Sequence, residues 1–266
     1  IHVDIDPSSI GKLVDVDYPI VGDMKNVVAA MLPQVKEVIK PENYQNWRDL
    51  LSRYNEIHPL KYDDNGDVLK PQWAIERIGQ LLGDKAVITT DVGQHQMWAA
   101  QFYPFTYPRQ WVTSGGLGTM GFGLPAAMGA KWGQKDKVSI NITGDGSILM
   151  NIQELMTAVE YKTPVINVIL NNNFLGMVRQ WQTFFYDKRY SSTDLEMQPD
   201  FVKLVESFGG LGFRVETKEQ FDEAIEKAVQ SNTVTMIDVK VDRFENVLPM
   251  VPAGGTLYNM MLDYKE

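Results

Sequence analysis

Gly144-Asp145-Gly146-Ser147 follows the β-rich run 138–143 (VSINIT). Asn171-Asn172-Asn173, continuing into Phe174-Leu175-Gly176, follows the run 165–170 (VINVIL). If the two runs are neighbouring parallel strands, their ends lie side by side and Asp145 meets the Asn172 region. Asp145 then offers a charged oxygen, Asn172 a neutral one, and the backbone carbonyls of the tight turn offer more. Magnesium prefers such hard oxygens and completes its octahedron with water and substrate phosphates. Gly144 and Gly146 let backbone approach a phosphate closely, and the Ser147 hydroxyl can donate to it. Helices opening after each turn would aim N–H groups and positive dipole ends at the same anion. We read the two loops as a magnesium–diphosphate site. Either loop alone would read as an ordinary turn. Both end β-runs, however, and Asn172 stands 27 positions after Asp145.

A third loop, Gly93-Gln94-His95-Gln96, follows the run AVITTDV and should reach the same edge. His95 and Gln94 are candidate donors to diphosphate oxygens, the alternative being a surface loop with a capping histidine. Residues 114–123 (SGGLGTMGFG) contain a formal G-x-G-x-x-G, which alone suggests a dinucleotide site. No acidic residue closes a following strand at the expected distance, because the next strand ends at the Gly-Asp-Gly-Ser turn. The segment reads better as a loop that lets a flat ring lie against backbone, with Met120 beneath it.

The elements that must position these loops alternate along the chain. From Pro71 short apolar runs alternate with helical patterns: a helix over 71–82 with proline at an early position, a strand over 86–89, and a helix through Met97 and Ala100. A helix over about 152–161 separates the two β-rich runs. Helices near 201–208 and 218–230 flank a strand at 213–215, and a last strand covers 234–241. This order predicts an α/β fold, a doubly wound and mostly parallel sheet flanked by helices. Ligands in such sheets sit beyond the carboxyl ends of the strands. Upstream, residues 1–6 read as a strand and 25–39 as an amphipathic helix interrupted near Pro33. Residues 40–67 are polar, with a helical patch at Trp47, Leu50, Leu51 and Tyr54 and a strong turn at Asp63–Asp67 (DDNGD). The expected organisation is the remnant of a second α/β domain over 1–40, a linker over 41–70, and the main domain over 71–266.

Composition narrows the possibilities. The 266 residues are 44% hydrophobic and 22% charged, ordinary for a globular chain. A net charge of −9 without a basic stripe argues against nucleic acid as a partner. The lack of cysteine excludes a disulfide scaffold, cysteine-ligated zinc and a thiol nucleophile, and suits a reducing cytosol. No apolar run approaches the ~20 residues of a membrane span, and the first six residues do not form a signal peptide. The chain opens without methionine in a strand-like alternation, as if entered in mid-fold.

Taken together, these residues resemble the C-terminal cofactor domain of the acetohydroxyacid (acetolactate) synthase catalytic subunits, within the thiamine-diphosphate-dependent superfamily. The resemblance covers essentially the whole chain. Its most specific pieces are residues 92–98 (VGQHQMW), 113–121 (TSGGLGTMG), 176–182 (GMVRQWQ) and 246–252 (NVLPMVP). It implies that Asp145, Asn172 and the main-chain carbonyl of Phe174 bind magnesium. It also implies that Val92, Gly93, Gln94, His95, Gly144, Gly146, Ser147, Leu175 and Gly176 surround the diphosphate. Gly118 and Met120 would support the bent cofactor, Met177 would line the reaction pocket, and Trp181 would narrow the acceptor pocket in favour of 2-oxobutyrate. A buried helix aromatic is the alternative for Trp181. Asp4, Ile5, Gly22 and Asp23 match contacts to FAD in the family's middle domain, although a plain structural role for Asp4 and Asp23 competes.

The implied reaction is decarboxylation of pyruvate and transfer of its two-carbon unit to a second 2-oxo acid. The implied assembly is a homodimer or tetramer with a possible regulatory small subunit, in the cytoplasm. The family's activating glutamate lies on a pyrimidine-binding domain that this sequence does not resemble. The expectation is therefore a C-terminal fragment, or half of a split subunit, that is inactive alone. A pyruvate oxidase, a 2-oxo-acid decarboxylase and a non-catalytic cofactor-binding module are the competing readings.

Overall fold

Runs of β-branched residues bounded by glycine and asparagine turns build the central sheet. In the computed structural model, which describes residues 1–263, six strands pair in parallel. Their spatial order is β4 (Trp111–Thr113), β3 (Ala86–Thr90), β5 (Val138–Gly144), β6 (Val165–Asn171), β8 (Thr235–Lys240) and β7 (Leu211–Val215). β3 and β6 are buried at every residue and β5 at all but its first. Burial on both faces is the usual state of parallel strands covered by helices on each side.

Helices cover the two faces differently. On one, α3 (Pro71–Leu82), α4 (Gln94–Phe102) and α9 (Lys218–Gln230) bring Ile75, Ile78, Trp98, Phe221 and Ile225 onto Ile88, Ile140, Ile142 and Val168. On the other, α5 (Gly123–Gly133), α6 (Glu154–Glu160) and α8 (Phe201–Ser207) bring Leu124, Leu155, Phe201 and Val205 onto Val165, Ile169 and Met236. Beneath α5 the sheet is polar rather than apolar. Ser139 Oγ donates to the Ala127 carbonyl at 2.7 Å, and Thr89 Oγ1 to the Gly123 carbonyl at 3.1 Å. These bonds hold α5 close, and its sequence GLPAAMGAKWG supplies the small residues that closeness needs.

From β3 the chain steps to β4 on one side, then crosses by α5 to β5 on the other. The strand order therefore reverses between β3 and β5, where open sheets of this kind hold their ligands.

The chain divides into two units, Ile1–Leu60 and Lys61–Glu266. In the first, β1 (His2–Asp4) pairs in parallel with β2 (Pro19–Val21), followed by α1 (Met24–Val38) and α2 (Gln45–Ile57). The interruption expected at Pro33 does not occur, and α1 runs through it. A proline removes one N–H from the ladder, and the Gln34 side chain adds a local bond by donating from Nε2 to the Ala30 carbonyl at 3.1 Å. α2 occupies much of the stretch expected as linker, and the division at Leu60 falls within that stretch.

Candidate cofactor site

Gly144 pairs in register with Leu170, so Asp145 and the Asn171–Asn172 pair leave adjacent strands side by side. Beyond these ends lies a cavity of about 180 Å3. Val92, Gly93, Gln94 and His95 line it from the end of β3, and Gly118 and Met120 from the glycine-rich loop. Gly144, Gly146 and Ser147 contribute from the end of β5. Asn172, Phe174 and Leu175 contribute from the loop after β6, with Gly176 and Met177 from the start of α7 (Gly176–Phe185). Trp98, Leu170 and Val178 also line it. They carry no site signal in the sequence because apolar residues in a strand or helix read as core.

His95 is buried and its ring lies between two glycines. A Cβ on Gly93 would sit 2.7 Å from His95 Cε1, and one on Gly144 would sit 2.9 Å from Nδ1. No side chain larger than hydrogen fits at either position with the ring where it is. Among the described residues Nε2 is buried without a hydrogen-bond partner, an arrangement that native proteins tolerate where a ligand completes it. The surface-loop alternative for His95 is thereby removed.

Burial pushes the imidazole down to about 4, and nearby Asp91 opposes the shift only in part. An unfolded histidine takes a proton near 6.5. The stability that neutral His95 contributes is thus complete above pH ~6.5 and is lost as pH falls toward 4, up to about 3 kcal/mol. Urea unfolding between pH 7 and 4.5 should show His95→Gln losing less stability than the unaltered chain. Equal losses would rule out this burial as the cause.

The side chains of Gln94 and Ser147 do not face the cavity as free donors. Gln94 Nε2 donates to Gln180 Oε1 at 2.8 Å and to the Glu245 carbonyl at 3.1 Å, while its Oε1 accepts from Asn172 Nδ2 at 3.3 Å. The Ser147 hydroxyl donates to the Val92 carbonyl at 3.0 Å. Both bond sets tie strand-end loops together, which local sequence could not reveal. What these residues can offer an anion is backbone N–H, Gln94 being the first residue of α4.

Asn172 Oδ1 accepts from the Phe174 N–H at 3.0 Å, and Asn173 takes a left-handed φ of 57°. The loop is folded tightly around its own amide. Phe174 is buried, with the Arg243 guanidinium 4.5 Å from its ring centroid. Asp145 does not form part of the cavity wall. It is 2% exposed, and burial pushes its carboxyl up to about 7. Gln198 Nε2 donates to its Oδ2, and Lys240 is the cation that lowers it electrostatically.

A carboxylate is costly to bury unless a cation compensates it. Among the described residues no group of three or more His, Cys, Asp or Glu is placed to hold a metal. A cation here would take one carboxylate, amide and carbonyl oxygens, and the oxygens of a bound ligand, which is a magnesium-type donor set. The residues therefore fit a diphosphate–metal group.

Trp181 sits one helical turn beyond Met177 on α7, outside the cavity and 46% exposed. The buried-aromatic alternative is excluded. In the first unit, Asp4, Ile5, Gly22 and Asp23 gather at the carboxyl ends of β1 and β2, where the Gly22 N–H donates to the Asp4 carbonyl at 2.9 Å. Asp4 Oδ1 accepts from the Asp6 N–H at 2.8 Å, and Asp23 caps α1 through the Asn26 N–H at 3.2 Å. Both carboxylates thus have local structural work.

A doubly wound parallel sheet whose glycine-lined strand ends close on one cavity defines an α/β domain of the kind that holds a ligand beyond the carboxyl ends of its strands. Residues 91–239 match the thiamine pyrophosphate enzyme, C-terminal TPP binding domain, and the chain belongs to that family. It is 44% identical over 273 aligned residues to the acetolactate synthase isozyme 3 large subunit of Escherichia coli (strain K12), covering 100% of this chain and 47% of that protein. It is 46% identical to the acetolactate synthase large subunit of Corynebacterium glutamicum, covering 96% of this chain and 42% of that protein. The chain spans about half the length of these curated relatives. Among solved structures, the thiamine diphosphate-dependent 4-hydroxybenzoylformate decarboxylase of Rhodococcus jostii RHA1 superposes with a TM-score of 0.62 at 28% identity, over 69% of this chain and 34% of that one. No helix of the described residues is long and apolar enough to cross a membrane.

Proposed function

We propose that the chain is the cofactor-binding C-terminal part of an acetolactate synthase catalytic subunit. That enzyme decarboxylates pyruvate and transfers the two-carbon unit to pyruvate or 2-oxobutyrate, giving 2-acetolactate or 2-aceto-2-hydroxybutyrate for branched-chain amino-acid biosynthesis. The observation that carries this reading is the convergence of the loops after β3, β5 and β6 on one cavity, in a chain alignable along its whole length with acetolactate synthase large subunits.

Thiamine diphosphate bound here supplies the electron sink for breaking and forming the carbon–carbon bonds. The protein's own groups do the rest. Asp145, the Asn172 amide oxygen and the Phe174 carbonyl hold magnesium. Backbone at Gly93, Gln94, Gly146, Ser147, Leu175 and Gly176 holds the diphosphate oxygens, and His95 joins as a donor when its Nε2 carries a proton. Gly118 and Met120 support the ring system, and Met177 meets the 2-oxo acid. Trp181, solvent-facing beside Met177, narrows the acceptor side.

Asp4, Ile5, Gly22 and Asp23 belong to the end of an FAD-binding domain, consistent with their position at parallel strand ends. A second copy of the subunit supplies the activating glutamate, in a homodimer or tetramer to which a regulatory small subunit is added. The assembly works in the cytoplasm.

The test supplies pyruvate, magnesium and thiamine diphosphate to the full chain, together with the pyrimidine-binding portion of an acetolactate synthase subunit. Acetolactate is the expected product. Acetaldehyde or acetate would transfer the reading to a 2-oxo-acid decarboxylase or pyruvate oxidase, the former being the activity named for the structural neighbour. Magnesium-dependent binding without any product would leave a non-catalytic cofactor-binding module.

A further inference from the structure

The segment between α7 and α8 is irregular, yet it is bonded to the asparagine loop. The Leu175 N–H donates to the Thr193 carbonyl and the Leu195 N–H to the Asn173 carbonyl, both at 2.8 Å. Residues 193–195 thus run antiparallel along residues 173–175, a pairing marked also by the bridge between Phe174 and Asp194. This strap delivers Gln198 to the ends of β5 and β6. There its Nε2 donates to Asp145 Oδ2, and its Oε1 accepts from Asn171 Nδ2 at 3.0 Å.

The direction of that amide is determined by its neighbours. Asp238 is 1% exposed, and its Oδ2 faces Lys240 Nζ at 3.3 Å and Arg214 Nε at 3.7 Å. Two cations keep it an acceptor. Asn171 must therefore turn its NH2 toward Asp238 Oδ1, 2.7 Å away, and its own Oδ1 accepts from the Asn173 N–H at 3.2 Å. The same NH2 meets Gln198, which must present its oxygen there and its NH2 to Asp145. The chain of bonds from Asp238 through Asn171 to Gln198 ends as a donor on one oxygen of Asp145.

We propose that Gln198 is a positioning residue for the divalent-cation site: by holding Oδ2 of Asp145 it sets the rotation of the carboxylate and leaves the other oxygen for the cation. This rests on the reading of Asp145 as a cation ligand. Partners that orient metal ligands in this way are typically worth about 10–100-fold in metal affinity. A glutamine that only packs the strap would affect melting but not the affinity of the folded chain for magnesium.

The test is calorimetric titration of Mg2+ into the full chain with saturating thiamine diphosphate, for the unaltered protein, Gln198→Met, Gln198→Asn and Asp145→Ala. Gln198→Met should weaken Mg2+ binding about tenfold to a hundredfold. Gln198→Asn, a methylene short but still a donor, should weaken it less. If Gln198→Met does not fold, the shift in Gln198→Asn decides alone. Unchanged Mg2+ affinity in the Gln198 variants that fold, with binding lost in Asp145→Ala, overturns the role of Gln198 and leaves the cation site standing. Undiminished binding in Asp145→Ala, or none in the unaltered chain, overturns both.

Discussion

Asp145→Ala is expected to abolish the magnesium dependence of thiamine diphosphate binding and to raise the apparent Kd at least about 100-fold, some 2.7 kcal/mol. In the proposed set with Asn172 and the Phe174 carbonyl, Asp145 is the one charged oxygen donor, and such charge matters most to a magnesium ion. The metal-free fold should not suffer in proportion. Burial raises the Asp145 carboxyl to about 7, above the ~3.9 of an unfolded aspartate. The sign follows: stability associated with the protonated carboxyl is present below pH ~4 and is lost as pH rises toward 7. At neutral pH the buried charge costs the metal-free fold a few kcal/mol. Alanine removes that cost but leaves Gln198 Nε2 without its acceptor, about 1–3 kcal/mol the other way. The metal-free melting point should therefore stay within a few degrees of the unaltered chain. A variant that melts far lower would mean that Asp145 is a structural residue, and the cation reading would lose its main support. Calorimetric titration with and without magnesium, beside thermal melting, reads both halves.

The second large effect is on stability. Gly123→Ala should destabilise the chain by about 3 kcal/mol or more, combining overpacking with damaged bonds to a buried carboxylate. A Cβ at Gly123 would lie 2.1 Å from Asn141 Oδ1 and 2.8 Å from the backbone N of Asp91. The helix cannot retreat freely, because the Gly123 N–H donates to Asp91 Oδ1 at 2.8 Å while the Gly123 carbonyl accepts from Thr89. Asp91, fully buried, also accepts from Thr143 Oγ1 at 2.6 Å. Lifting α5 would thus disturb the end of β3, from which Val92 and His95 enter the cavity. For a domain of this size 3 kcal/mol corresponds to roughly 6–12 °C of melting temperature. Gly129 on the same helix is exposed and a Cβ there meets nothing within 4 Å. Gly129→Ala should be neutral or stabilising by up to about 1 kcal/mol. Equal melting points for the two variants would show that close approach of α5 to the sheet does not matter.

The site was legible in sequence wherever chemistry and strand ends coincide. Gly144–Ser147 and Asn171–Asn173 each terminate a run rich in β-branched residues, and parallel pairing of those runs suffices to bring them together. The helix over Pro71–Leu82 was legible for a similar reason, since an amphipathic stripe and an N-terminal proline are local signals. α5 was not, because its burial depends on small residues opposite Ser139 and Asn141, and smallness has no periodicity. β4 was missed as a three-residue edge strand, too short to show alternation. Pro33 misled in the other direction, because one missing N–H is a local cost that the rest of a helix can absorb.

By itself, the sequence determined the alternation of strands and helices that makes an α/β fold, the loops in which candidate oxygen donors lie and the family they belong to. These are properties of residue type and spacing, carried along one stretch of chain. Tertiary structure decided which of those donors remain available. Gln94 and Ser147 lose their side-chain donors to Gln180, Glu245 and Val92, His95 keeps an unpaired Nε2 between two glycines, and Asp145 receives Gln198 from a strap 53 residues away. Each is a hydrogen-bond assignment between segments distant in sequence, and a polar atom's availability depends on which other segment reaches it first.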